Sequence, residues 1–326
     1  MKKVLGIGNA LTDILFRTKN DEILNELHLK KGSMQLVNNE KSEQILSLFA
    51  NQPSKMATGG SASNAINGLT KLGNEAGFIG KIGDDEIGKF FSEKSLENGV
   101  QPFLKISETP SGHCTVLVSA DGERTMCTYL GAASELYAED LDASIFHQYD
   151  IFHIEGYLVQ NNELIHTALK MAKEAGMIVS IDLASFNIVE DNREFLHEMI
   201  EKYVDITFAN EDEADAFSQS TPEEALHQIA KLCDIAVVKL GSHGSLIKQG
   251  EKTYRVEAVK ANCVDTTGAG DMYAAGFLYG FSHDLPLDTC GKIGSKVAAH
   301  VVEVVGAKLT DDVWQKIYQE IEENLK

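Results

Sequence analysis

The segment Val264-Asp265-Thr266-Thr267-Gly268-Ala269-Gly270-Asp271, followed by an apolar run from Met272 to Phe281, decides how this chain is read. Two glycines flank an alanine, and a carboxylate stands where a helix should begin. Free N–H groups at a helix N-terminus, reinforced by the helix dipole, make a site for an anion. The glycines let a phosphate approach the backbone closely. Asp271 is a poor partner for that phosphate, because both are negative. It suits the role of a base beside it, taking a proton from a hydroxyl that attacks the terminal phosphoryl group. Asp is also a favoured helix cap, so the rest of the chain has to decide between the two roles.

Composition sets the outer limits. A chain of 326 residues holds one large α/β domain or two ordinary ones. A net charge of −20 argues against nucleic acid or an anionic membrane as partner. A phosphate ligand must then be held by local amides, a few cations and a metal ion. Cys114, Cys127, Cys233, Cys263 and Cys290 are widely spaced with no CxxC pair, which fits reduced thiols in a cytoplasmic protein. Gly6, Gly8 and Asn9 interrupt the first apolar stretch, which reads as a strand, not a signal peptide. No run reaches the ~18 apolar residues of a membrane span.

From the N-terminus, Lys3 to Gly8 reads as a strand running into Asn9-Ala10-Leu11-Thr12-Asp13. Leu11 stands where a dinucleotide fingerprint needs its third glycine. Asn9 and Asp13 are turn residues, or ligands for sugar hydroxyls at the carboxyl end of a strand. A helix is expected over Lys41–Phe49. Next, Thr58-Gly59-Gly60-Ser61-Ala62-Ser63-Asn64 enters a helical pattern, a tight turn that can admit a ligand to the backbone under the Asn64 amide. From Pro102 to Leu130 the pattern alternates, and Asp121-Gly122 marks a hairpin between Thr115–Val118 and Thr125–Tyr129. With residues 14–40 it forms a small accessory sheet. Arg124 is a surface charge or a cation able to swing toward phosphate.

After residue 145, strands at Ile151–Ile154, Ile178–Asp182, Ile206–Ala209 and Ile235–Leu240 alternate with helices at Asn162–Ala175, Arg193–Lys202, Glu211–Phe217 and Pro222–Leu232. That rhythm predicts a parallel sheet with right-handed crossovers, its strand order unread. Asn210-Glu211-Asp212-Glu213 is an acidic first helical turn, or a holder of Mg²⁺ through water. Lys239-Leu240-Gly241-Ser242-His243-Gly244 is a plain turn, or a turn that passes beneath a nucleotide.

In this order, Gly59-Gly60-x3-Asn64, Asn210-x2-Glu213, Lys239-x-Gly241-x2-Gly244 and Asp265 to Asp271 resemble the ribokinase, or PfkB-type, carbohydrate kinases over nearly the whole chain. The resemblance implies a ribokinase-like doubly wound α/β core (residues 1–12, 41–100 and 131–326) with a small β lid (13–40 and 101–130). It implies Asp271 as catalytic base, the Gly268, Ala269, Gly270 and Asp271 amides as anion hole, and Arg124 as a lid arginine near the transferring phosphate. ATP would lie along Lys239, Gly241, Gly244 and Thr267. Asn210 and Glu213 would organise Mg²⁺ through water, and Asp265 and Thr267 would help hold a monovalent cation such as K⁺. Asn9, Asp13, Gly59, Gly60 and Asn64 would bind the acceptor's hydroxyls.

Within the family the chain is most similar to adenosine kinases, through Gly8 to Asp13 and through Tyr203-Val204-Asp205-Ile206 leading into Asn210. Leu11, Leu36 and Tyr157 would then line an apolar slot for a nucleoside base, although Leu36 fits core packing better. Thr267 and Asp182-Leu183-Ala184-Ser185-Phe186-Asn187 depart from the adenosine-kinase pattern. The expected activity is phosphorylation of a nucleoside's primary hydroxyl, most of all the 5′-hydroxyl of adenosine. The alternatives are a free-sugar kinase of ribokinase, fructokinase or 2-keto-3-deoxygluconate kinase type, and a non-catalytic nucleoside or sugar sensor. A monomer and a homodimer paired through its lids are both compatible with the sequence.

Overall fold

The computed structural model describes residues 1–18 and 20–325. Its first strands are β1 (Val4–Ile7), β2 (Leu11–Arg17), β3 (Met34–Leu36), β4 (Lys55–Gly59) and β5 (Ala76–Gly83). Then come β6 (Val100–Ser107), β7 (His113–Val118), β8 (Arg124–Tyr129), β9 (Ile151–Glu155) and β10 (Ile178–Asp182). The last four are β11 (Ile206–Asn210), β12 (Ile235–Lys239), β13 (Ser245–Gln249) and β14 (Lys252–Val256).

Nine of these form one sheet in the order β14-β13-β12-β11-β10-β9-β1-β5-β6. Pairing is parallel from β6 through β12, and β13 and β14 close one edge as an antiparallel hairpin. Both faces are covered, so the central strands are apolar without alternation: all four residues of β1 are buried. On one face, Leu5, Ile7, Phe152 and Val179 pack against helices drawn from residues 162–229. On the other, Val4, Phe78 and Phe208 meet the helices Ser61–Lys71, Ala269–Ser282 and Leu287–Val301. Phe208 meets Phe277 edge to face, with ring centroids 5.2 Å apart. Each such buried side chain contributes about 2 kcal/mol of apolar burial. Ala269–Ser282 is apolar nearly all round because it runs through this layer, which is why residues 272–281 read as one unbroken apolar run.

The chain leaves β1 toward β5 on one side and returns at β9 on the other. That reversal opens a crevice at the carboxyl ends of β1 and β9, where open α/β sheets take ligands.

The smaller sheet has the order β3-β8-β7-β2-β4. Ile14 and Phe16 of β2 and Leu117 of β7 face Leu24, Leu27, Ile45 and Phe49, which lie in or directly after the helices Glu22–Glu26 and Asn39–Phe49. The opposite face overhangs the crevice. The sheets divide the chain differently from the expected lid of 13–40 and 101–130. Residues 101–107 lie in β6, which pairs along β5 as an edge of the large sheet, whereas β4 joins the small one. β6 is only partly buried along its length, as an edge strand is, and its local pattern does not say which of the two sheets it joins. The helix expected at 41–49 begins two residues earlier, capped by Asn38.

Candidate active site

Asp271 stands in the first turn of Ala269–Ser282, whose start is set by Gly268 with φ of 77°. A side chain at Gly268 would be strained in that left-handed conformation and would run into Ala307. Both carboxylate oxygens of Asp271 are engaged by the helix start on the other side of the crevice. Ser61 Oγ donates to Oδ1 at 2.7 Å, and Asn64 Nδ2 donates to Oδ2 at 2.9 Å. Burial pushes the Asp271 carboxyl up to about 6, against the two hydrogen bonds, which favour its ionised form. It is no simple cap: its side chain reaches across to another helix.

The amides expected as an anion hole divide. Ala269 donates its N–H to Thr266 O at 3.1 Å, whereas the first-turn amides of Gly270 and Asp271 have no intrahelical acceptor. Beside them, a Cβ placed on Gly270 would lie 3.1 Å from Lys239 Nζ, so this cation flanks the helix N-terminus. Lys239 is paired with Asp182 at 2.6 Å. Burial pulls its ammonium pKa down, and the neighbouring Asp182 and Glu213 outweigh that and raise it.

Asn210 and Glu213 form a capping box. Glu213 N–H donates to Asn210 Oδ1 at 2.8 Å, and the Glu213 carboxylate accepts from Asn210 N and Nδ2 at 2.7 Å each. Burial pushes the Glu213 carboxyl up to about 7. Gly241, Gly244 and Thr267 lie along the same cleft, as do Ala298 and Val302.

At the crevice proper, Asn9 follows β1, and Glu155 ends β9. Glu155 is fully enclosed and accepts from Asn9 Nδ2 at 2.6 Å and from Ala62 N at 3.1 Å. Burial pushes its carboxyl up to about 7. Gly60, φ 87°, lets the turn pass over the Asn9 carbonyl. Gly59 sits opposite Leu11 in β4, and a Cβ there would lie 2.5 Å from Asp13 Oδ1. Burial raises the Asp13 carboxyl, opposed by Lys308 and Arg124. Lys308 Nζ donates to Asn64 Oδ1 at 2.9 Å.

Arg124, expected near a phosphate, is instead bound to Asp265 at 2.6 Å. Asp265 also accepts from Thr267 N (2.9 Å) and Gly306 N (2.7 Å). Its carboxylate thus accepts from three donors on two oxygens. Leu36 is no core residue either: it is 64% exposed, on the lid face turned to the cleft. Leu11 and Tyr157 line the cleft with it.

The cleft measures about 1680 Å³, more than the ~300–1,000 Å³ of a single-ligand pocket. It has room for a nucleotide and an acceptor together. Glu155, Asp182, Ser61 and Lys308 had no assigned role in the sequence. Glu155 had the best signal, a carboxylate closing an apolar parallel strand just before Gly156.

Residues 33–313 match the pfkB family of carbohydrate kinases. The chain is 32% identical over 243 residues to an uncharacterized sugar kinase of Archaeoglobus fulgidus, covering 74% of this chain and 96% of that one. It is 31% identical over 263 residues to a 5-dehydro-2-deoxygluconokinase of Lacticaseibacillus casei, covering 75% and 80%. The crystal structure of adenosine kinase from Sinorhizobium meliloti superposes with a TM-score of 0.87 at 34% identity, over 98% of this chain and 99% of that one. The chain belongs to the PfkB family of carbohydrate kinases, phosphotransferases that act on a hydroxyl group.

Proposed function

We propose that this protein is an ATP- and Mg²⁺-dependent kinase for a primary hydroxyl of a nucleoside, with the 5′-hydroxyl of adenosine as its acceptor and Asp271 as general base. The observation that carries this reading is the Asp271 carboxylate, enclosed at a helix N-terminus and turned to the acceptor crevice by Ser61 and Asn64.

Bound ATP supplies the phosphoryl group, and Mg²⁺ neutralises part of its charge. The amides of Gly270 and Asp271 and the Lys239 ammonium suit its phosphates. Among the described residues no group of three His, Cys, Asp or Glu is arranged to hold a metal directly. Asn210 and Glu213 therefore fit an ion that keeps its own waters, as magnesium does.

Asn9, Asp13 and Asn64 orient the acceptor's hydroxyls, and Asp271 takes the proton from the attacking one. Positioning and charge stabilisation supply most of the rate. The nucleoside assignment is supported by the slot itself. Leu11, Met34, Leu36 and Met126 face the cleft from the lid, and Leu136 and Tyr157 face it from the core. Met34 and Leu36 are left exposed there, apolar surface that a purine would cover and a free sugar would not. A second reading, a free-sugar kinase, is favoured by the two sugar-kinase relatives.

The test is ADP release with ATP and Mg²⁺ against adenosine, inosine, guanosine, ribose, fructose and 2-keto-3-deoxygluconate. Adenosine turning over well above the free sugars supports the nucleoside reading. A free sugar winning keeps the Asp271 chemistry and discards the slot.

A further inference from the structure

Lys308 lies between the helices Leu287–Val301 and Asp311–Leu325, outside every motif of the sequence. Its ammonium donates to Asn64 Oδ1 at 2.9 Å, and Asn64 Nδ2 donates to Asp271 Oδ2 at 2.9 Å. A lysine ammonium has donors only, so it accepts no orientation of Asn64 but the one with the carbonyl toward it. Turning the amide over would set NH₂ against an ammonium and a carbonyl against a carboxylate. Without the lysine, that choice loses half of its cause. The Asp13 and Asp271 charges keep a cation at this place, although burial pulls its pKa down to about 8.

The two oxygens of Asp271 are therefore held differently. Oδ2 is held by an amide whose orientation is fixed from behind. Oδ1 is held by the Ser61 hydroxyl, a rotor that can turn away. We propose that Lys308 is a positioning residue: by fixing the Asn64 amide it holds Asp271 Oδ2 in place and leaves Oδ1 to take the acceptor's proton. This rests on Asp271 being the base. The proton passes from the acceptor hydroxyl to Oδ1 as the new O–P bond forms. The bond from phosphorus to the leaving diphosphate oxygen breaks, and Asp271 later returns its proton to solvent.

A double-mutant cycle separates this role from mere packing. Lys308→Met, Asn64→Ala, the double variant and Lys308→Arg are assayed with adenosine, ribose and fructose, using whichever the parent turns over fastest. Lys308→Met should cut kcat about tenfold or more, and Lys308→Arg should recover most of it. In the Asn64→Ala background, Lys308→Met should change kcat by less than about twofold. Urea unfolding of the same chains reads the coupling without any acceptor, and the two changes should again be non-additive. A Lys308→Met loss that repeats undiminished in Asn64→Ala, or strictly additive stabilities, overturns the proposal alone. An Asp271→Asn chain that keeps its turnover overturns it together with the reading on which it rests.

Discussion

Arg124 of the small sheet and Asp265 of the loop before the helix Ala269–Ser282 are joined at 2.6 Å, with side chains 7% and 13% exposed. This contact ties the small sheet to the loop that leads into the Asp271 helix. Its carboxylate partner is oriented by two backbone amides, so the guanidinium meets a fixed group.

Removing one member of a buried pair strands the other. Arg124→Met should cost about 3 kcal/mol in urea unfolding. It should also lower kcat by about tenfold or more, because the small sheet loses its tie to the loop that leads into the Asp271 helix. Burial pushes the Asp265 carboxyl up, but the Gly306 and Thr267 amides and Arg124 outweigh it and hold it below its ordinary value. This stabilisation is present above about pH 4, the ordinary carboxyl range, and is lost as pH falls through the lowered value. The difference in stability between parent and Arg124→Met should therefore shrink in strong acid. A constant difference down to pH 2 would contradict this.

As the proposed base, Asp271 must be ionised to accept a proton, and burial pushes its carboxyl up to about 6. The kcat/KM profile should rise with pH through about 6 and level off above it. Ser61→Ala removes a hydrogen bond to the charged form, so it should move the acid limb upward, by up to about one unit. An acid limb that stays in place in Ser61→Ala would show that the hydroxyl does not bear on the base.

Glu155 and Glu213, each near 7, carry the opposite linkage to Asp265. Their folded values lie above the ordinary range, so the native state binds the extra protons. That contribution to stability is complete below about pH 4 and is lost as pH rises through 7. Glu155→Gln keeps an acceptor for Asn9 and cannot ionise. Its Tm should therefore fall less than the parent's between pH 5 and pH 8. Parallel Tm curves would mean that Glu155 is not protonated in the fold.

The site was legible where its chemistry is written in consecutive residues. Gly268 to Asp271 announces a helix start, which the structure has at Ala269, and β10 runs from Ile178 to Asp182 as its apolar pattern predicts. Illegible were groups that only topology brings together. Glu155 reaches Asn9 because β9 pairs with β1, and no local pattern encodes that neighbour. Lys308 meets Asn64 from a loop with no periodicity. Leu36 looked like core because it is apolar, yet the small sheet turns it to the cleft. β6 reads as a strand, but only its pairing along β5 assigns it to the large sheet and not to the small one.

The most direct test of the account compares parent and Asp271→Asn, measuring ADP release with ATP and adenosine and, by calorimetry, adenosine binding. Asparagine keeps the shape and a hydrogen-bonding oxygen but cannot take the proton. The account predicts a kcat lower by about a thousandfold or more, with the adenosine Kd within about threefold of the parent's. A variant that retained more than about a tenth of the parent's kcat would contradict Asp271 as the general base.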